Sequence, residues 1–187
     1  MNKQRLLMMI EVAVFAAIGF ILDKISFSIW AQGGSISFVM VPIVLMAFRW
    51  GIVPGLATGL IIGVLQVLTG ALILTPLQGI LDYFFAFTIV GIAGIFRPLV
   101  IRASKHNKGK MLAWILIGTT LGGILRLLSH TAAGAIFFAQ YAGDQNPWIY
   151  SVIYNCSYMI PAVILTAIVI YLLFRAAPKL FVQKARG

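Results

Sequence analysis

The chain has 187 residues, 61% of them hydrophobic and only 10% charged, with a mean hydropathy of +1.04. A soluble domain of this length cannot hide so much apolar surface, so the composition excludes a water-soluble protein and calls for lipid as solvent. The net charge of +10 does not describe a nucleic-acid surface either, because the positive residues fall between and beyond the apolar runs, where membrane proteins carry orientation signals.

Six apolar segments emerge, roughly 6–23, 36–50, 52–70, 77–96, 111–139 and 149–174. No linker, low-complexity stretch or repeat divides them, so 1–187 reads as a single transmembrane domain of all-α class. The first segment follows Met1–Arg5 and superficially resembles a signal peptide. It is too long for one, contains Glu11, and has no cleavage site before Asp23 and Lys24, so it reads as a first membrane helix. Ala13 and Ala17 form a small-residue pair on it, and Glu11, near its start, is assigned to helix packing or a partner surface. A short loop then carries Trp30-Ala31-Gln32-Gly33-Gly34.

The second and third segments are short and separated only by Trp50-Gly51, which points to one being tilted or partly embedded. Gly55, Gly59 and Gly63 in the third form a four-residue ladder that lets another backbone approach. The fourth brings Asp82 to about five residues, or ~8 Å, from its start. The fifth is about 29 residues, roughly 43 Å if helical throughout, and should tilt or project from the bilayer. Along it Gly122, Arg126, His130 and Gly134 recur every four residues on one face, followed by Phe137 and Phe138. A glycine beside the histidine would let a ligand lie close to the backbone. The sixth places Ser151, Asn155 and Tyr158 on one face with Tyr150 and Tyr154 alongside. Cys156, the only cysteine, reads as a packing residue.

Lys3 and Arg5 precede the first helix, and Arg49 lies between the second and third. Arg97, Arg102, Lys105, Lys108 and Lys110 connect the fourth and fifth, and Arg175, Lys179, Lys184 and Arg186 follow the sixth; the opposite connections carry only Lys24. The positive-inside rule therefore predicts six transmembrane helices with both termini cytoplasmic. In that topology Trp30, Asp82, Arg126, His130, Tyr150, Tyr154 and Asn155 share one outer level, although they come from separate pieces of chain. Ionisable groups at membrane depth mark functional sites. Aromatic faces, an amide, an imidazole and a carboxylate together suit a flat, nitrogen-rich cation.

Structural readings stand beside this one. Asp82 and Arg126 could form a buried ion pair between helices, His130 an interhelical hydrogen bond, and Trp30, Trp148 and Tyr150 an interfacial aromatic belt. No HExxH, Cys–His metal set, GxSxG or phosphate loop occurs, so metal ligands, cofactors and ATP hydrolysis by the chain itself are not expected.

Four stretches then carry a resemblance. Trp30-Ala31-Gln32-Gly33-Gly34-Ser35-Ile36-Ser37 with Met40-Val41-Pro42-Ile43, Leu81-Asp82-Tyr83, His130-x-x-x-Gly134 and Tyr150-Ser151-x-x-x-Asn155 are similar to the thiamin-specific substrate-binding (S) components of energy-coupling factor (ECF) vitamin transporters. The resemblance covers essentially the whole chain, and its first stretch is the most specific. It implies a six-helix S-component bundle in the bacterial cell membrane and thiamin bound as substrate near the extracellular side. It also implies partnership with a membrane T component and two cytoplasmic ATPases. Carried over, Asp82 matches the acidic ligand position, and His130, Tyr150 and Asn155 match polar or ring contacts. Trp30 matches the aromatic residue of the covering loop, and Ala13 and Ala17 match the AxxxA surface for the T component. The ligand-binding set expected on both grounds is Trp30, Asp82, Tyr83, Arg126, His130, Gly134, Phe138, Tyr150 and Asn155. Two positions depart from the family pattern: Asp82 stands where Glu is common, and Phe138 where Trp is common. The competing readings are an S component for riboflavin or biotin, a small membrane enzyme using Asp82 and His130 as acid and base, and a proton-coupled exchanger working alone.

Overall fold

The computed structural model describes residues 2–28 and 34–178. The described residues form six main helices: α1 (Lys3–Lys24), α2 (Met40–Trp50), α3 (Ile52–Leu68), α4 (Pro76–His106), α5 (Lys108–Phe137) and α6 (Pro147–Ala176). Four of them, α1, α4, α5 and α6, are long and apolar enough to cross a bilayer. The described residues include no strand, only a single antiparallel bridge between Phe27 and Ile36.

The shortness of α2 follows from its position. Every residue from Met40 to Phe48 is buried, so this helix is apolar all round and fills the centre of the bundle. Pro42 falls in its first turn, where a missing N–H costs no helical bond. Gly51, at φ 110°, ends α2 and begins α3, a backbone conformation that L side chains rarely adopt. Phe48 of α2 meets Phe174 edge to face with centroids 6.3 Å apart, and the fully buried core holds Ile43 and Met46 of α2 together with Ile62, Met111, Ile115 and Ile170 from its neighbours.

The antiparallel pair α5 and α6 meets through small residues. A Cβ on Gly134 would overlap Ser151 Oγ, and one on Gly123 would overlap Val163. Asn107 and Asn146 cap the two helices, accepting from Lys110 N–H and from Trp148 and Ile149 N–H respectively. The glycine ladder of α3 packs against α4: a Cβ on Gly59 would overlap the Phe87 carbonyl oxygen, and one on Gly63 that of Tyr83. From the other side Gly91 meets the backbone of Leu56, so two main chains lie in direct contact.

Two boundaries differ from the sequence reading. The second helix begins at Met40 rather than at residue 36, because Ile36 exchanges backbone hydrogen bonds with Phe27 (2.9 and 3.0 Å) and holds 34–37 extended. The fourth does not stop at residue 96. Arg97–His106 continues it, with Pro98 in the first turn of that portion and Val100, Ala103 and Ser104 buried. An amphipathic turn with basic residues outward falls below a hydropathy threshold while remaining helical. Only Asn107 separates α4 from α5.

α4 is not uniform. Thr75 caps it, Ile80–Phe85 forms a widened π turn, and Ile89–Phe96 tightens into 3₁₀ geometry before the final α-helical portion. In the π turn Ala86 N–H bonds to Leu81 C=O, five residues back.

Candidate functional site

Near the start of α4, the π turn changes which residues share a face. Positions five apart come into line, so Gln78, Asp82, Tyr83 and Phe87 all border one cavity of about 420 Å³. That volume falls in the range of small-molecule sites. Ser129 of α5 fixes the turn by donating its hydroxyl to Leu81 C=O at 2.7 Å.

A chain of polar groups runs along the cavity wall. Gln78 Nε2 donates to Asp82 Oδ2 at 2.8 Å, and Asp82 Oδ1 lies 2.8 Å from His130 Nδ1. Arg126 Nε donates to His130 Nε2 at 3.2 Å. Because a guanidinium only donates, Nε2 must accept; the hydrogen-bond pattern therefore assigns the proton to Nδ1, which donates to Asp82. The Arg126 guanidinium lies 4.3 Å from the centroid of the Phe87 ring, whose edge meets His130. Asp82 and Arg126 are thus joined through His130 rather than as the direct ion pair considered above.

α6 supplies the facing wall. Tyr150 stacks on Tyr154 at 6.0 Å, and Tyr154 meets Tyr158 edge to face at 5.8 Å. Asn155 Nδ2 donates to the Ser151 carbonyl oxygen at 2.8 Å, and Tyr158 donates its hydroxyl to Asn155 Oδ1. Ser151 in turn donates to Thr131 C=O on α5 at 2.9 Å. The amide of Asn155 is therefore largely engaged within α6, although the residue borders the cavity. Gly134 also borders it, but the Ser151 hydroxyl occupies the space a side chain would need, so the glycine serves helix contact. Gly122, on the same face of α5, meets the Val90 carbonyl of α4 instead.

Two connections close the rim. Gly34 N–H donates to Tyr154 Oη at 2.8 Å, and Ser37 Oγ donates to Asp23 Oδ1 at 3.1 Å. These bonds seat the 34–37 stretch on α6 and α1. Across from it, Tyr83 Oη and Gln78 Nε2 both donate to Leu72 C=O, at 3.1 and 3.4 Å. Phe138 stacks on Tyr141 just beyond α5.

Of the expected ligand-binding set, Asp82, Tyr83, Arg126, His130, Gly134, Phe138, Tyr150 and Asn155 border this one cavity. Trp30 lies outside the described residues. Sequence reasoning missed Asp23, Gln66, Leu72, Gln78, Phe87 and Tyr141, which border it too. Asp23 had a usable signal: it ends a membrane helix at the level of the other polar residues. Phe87 had one as well: it stands four residues after Tyr83, on the same helix face. Two carboxylates, Asp23 and Asp82, face one guanidinium, so with neutral His130 the wall favours a cation.

Ala13 and Ala17 are exposed on α1, while Val12, Ala16 and Gly19 turn inward. Glu11 packs: it accepts from Arg49 Nε and Nη2 at 2.6 and 2.7 Å and from Trp50 Nε1 at 2.6 Å, at the end of the bundle away from the cavity.

Comparison with known proteins places this architecture. A family model described as thiamine transporter protein (Thia_YuaJ) matches residues 9–182. The thiamine transporter ThiT of Bacillus subtilis (strain 168) is 42% identical over 184 residues, covering 96% of each chain. The ThiT of Lacticaseibacillus paracasei is 32% identical over 189 residues, covering 98% of this chain and 94% of its own. A solved structure of ThiT from Listeria monocytogenes superposes with a TM-score of 0.90 at 32% identity, over 97% of this chain and all of that one. A structure described as the S component of a bacterial ECF transporter superposes with a TM-score of 0.63 at 20% identity, a likeness of fold covering 96% of this chain. These relatives are named as transporters and transporter subunits, not enzymes.

Proposed function

Because this chain belongs to the thiamine transporter protein family, we propose that it is the thiamin-capturing S component of an ECF-type importer in the bacterial cell membrane. Membership of the family makes the chain a thiamin-binding membrane subunit with no reaction of its own. Thiamin enters the cavity from outside and leaves inward with the help of a T component and two ATPases.

The observation that carries this reading is the polar wall: Asp82, held by Gln78 and His130, beside aromatic faces in one cavity. Thiamin joins an aminopyrimidine to a positively charged thiazolium ring. A carboxylate already oriented by two donors meets such a cation with little reorganisation, and Tyr150 and Phe138 offer ring faces. Topology supports the outward orientation. Lys3, Arg5, Arg49, Arg97, Arg102, Lys105, Lys108, Lys110 and Arg175 lie toward the helix ends remote from Asp82 and His130, so the positive-inside rule turns the cavity outward and both termini inward. The exposure of Ala13 and Ala17 leaves that face of α1 free for a partner helix.

Calorimetry and mass spectrometry of the purified chain test the proposal. Thiamin should co-purify and bind one to one, and Asp82→Asn should weaken it about 10- to 100-fold, as expected for loss of a charged contact. His130→Ala should weaken it as well, by freeing Asp82 from its donor. Retention of a flavin or biotin in place of thiamin would overturn the ligand assignment.

A further inference from the structure

We propose that Gln66 is a specificity-determining ligand contact, whose carboxamide donates an N–H to an uncharged acceptor of the bound molecule. Gln66 occupies the last full turn of α3, on the face of Gly59 and Gly63. Gly63 brings the α3 backbone against Tyr83 C=O, so Gln66, three residues on, reaches the cavity beside the π turn that carries Asp82 and Tyr83. Its main chain is committed: Gln66 C=O accepts from Thr69 and Ala71 N–H at 3.2 Å each.

Its side chain is not. Gln66 is 7% exposed and its Nε2 has no hydrogen-bond partner. Among the described residues three other buried polar side-chain atoms, on Thr88, Thr119 and Thr131, share that condition, and none of those threonines borders the cavity. A buried donor left unpaired is costly, and this one, unlike the threonine hydroxyls, borders a cavity from which a ligand can supply the acceptor. The terminal amide torsion of glutamine is broad, and no bond holds this one, so the N–H can swing into the cavity.

The acceptor's identity rests on the thiamin reading. Asp82 and Asp23 supply only acceptors to the ligand, which suit its cationic ring and exocyclic amine. The pyrimidine ring nitrogens are acceptors themselves and need a donor; Gln66 supplies one on the same side of the cavity as Asp82.

The test compares the unaltered chain with Gln66→Met, and with Gln66→Glu as a second, shape-conserving variant. The ligands are thiamin and two deaza analogues, each with one pyrimidine nitrogen replaced by CH. Affinities come from calorimetry, and ligand-free stability from thermal melting in detergent. The unaltered chain should prefer thiamin over one analogue by about tenfold. Gln66→Met should bind thiamin about tenfold more weakly and lose that preference, with a ligand-free melting temperature unchanged or raised. A purely structural role predicts a lowered melting temperature and equal losses for all three ligands, and that pattern would overturn the proposal. So would unchanged thiamin affinity in Gln66→Met, or an unaltered chain indifferent to both analogues. If the unaltered chain binds no thiamin at all, the thiamin reading falls and this assignment with it.

Discussion

His130 has a single tautomer that satisfies both of its neighbours. Arg126 can only donate to Nε2, so Nδ1 holds the proton and presents it to Asp82. The imidazole thereby spaces a guanidinium from a carboxylate while keeping both in the cavity wall, and the carboxylate keeps its charge available to a ligand. Tyr154 plays a different part, as an acceptor for the loop. Its hydroxyl takes the Gly34 N–H, and a Cβ on Gly34 would stand 2.8 Å from the same oxygen, so the fit requires glycine. Tyr154→Phe keeps the ring stack on Tyr150 and removes only this acceptor. Thiamin should then dissociate about 3- to 10-fold faster in stopped-flow measurements, the worth of one neutral hydrogen bond, with the association rate little changed. An unchanged dissociation rate would show that the Gly34–Tyr154 bond does not hold the ligand in.

At the scale of elements, the contact of α3 with α4 determines where the site can be. Gly59 and Gly63 admit the carbonyls of Phe87 and Tyr83 to van der Waals contact, and the π turn lies directly over that contact. Gly63→Ala would force the two backbones apart at Tyr83, costing about 1–3 kcal/mol of stability by overpacking. Because Asp82 is adjacent, thiamin affinity should fall together with the melting temperature; a melting loss with full affinity would show that the turn is held from α5 alone, through Ser129. The glycine ladder was legible in the sequence, since four-residue spacing of the smallest residue has few other uses in a membrane helix. So were Asp82, Arg126 and His130, because charge at membrane depth stands out against an apolar background. The π turn was not. Ser129 bonds the Leu81 carbonyl and Gly63 lies against that of Tyr83, contacts from other helices that the local sequence does not display, and the i, i+5 register of the turn lines Asp82 up with Phe87. Gln66 was missed because the residues that share its helix face, Gly59, Ile62 and Gly63, are apolar, whereas Asn155 is flanked on its face by Ser151 and Tyr158. Gln78 did have a signal, four residues before Asp82.

For the molecule as a whole, the question is how the cavity end communicates with a partner. α1 packs chiefly against α2 and α3 and exposes Leu6, Ile10, Val14, Ile18 and Ile21 together with Ala13 and Ala17. Among the described residues two polar ties secure it, one over two turns from its start and one at its C-terminal end: the bidentate Glu11–Arg49 pair with Trp50, and Asp23 with Ser37. A helix tied inward at Glu11 and Asp23 and exposed along its outer face can take a neighbour without disturbing the core. Its small residues would let that neighbour's backbone come close. Capture and uptake should therefore separate genetically. The double substitution Ala13→Leu with Ala17→Leu adds bulk to an exposed face of α1. Thiamin affinity of the purified subunit should stay within about twofold of the unaltered chain, since exposed substitutions away from a site change little. Uptake of labelled thiamin by cells supplying the other transporter subunits should be lost, and the subunits should no longer co-purify. Full uptake by the double variant would move the docking surface elsewhere; lost affinity would instead mean that α1 shapes the cavity through Asp23.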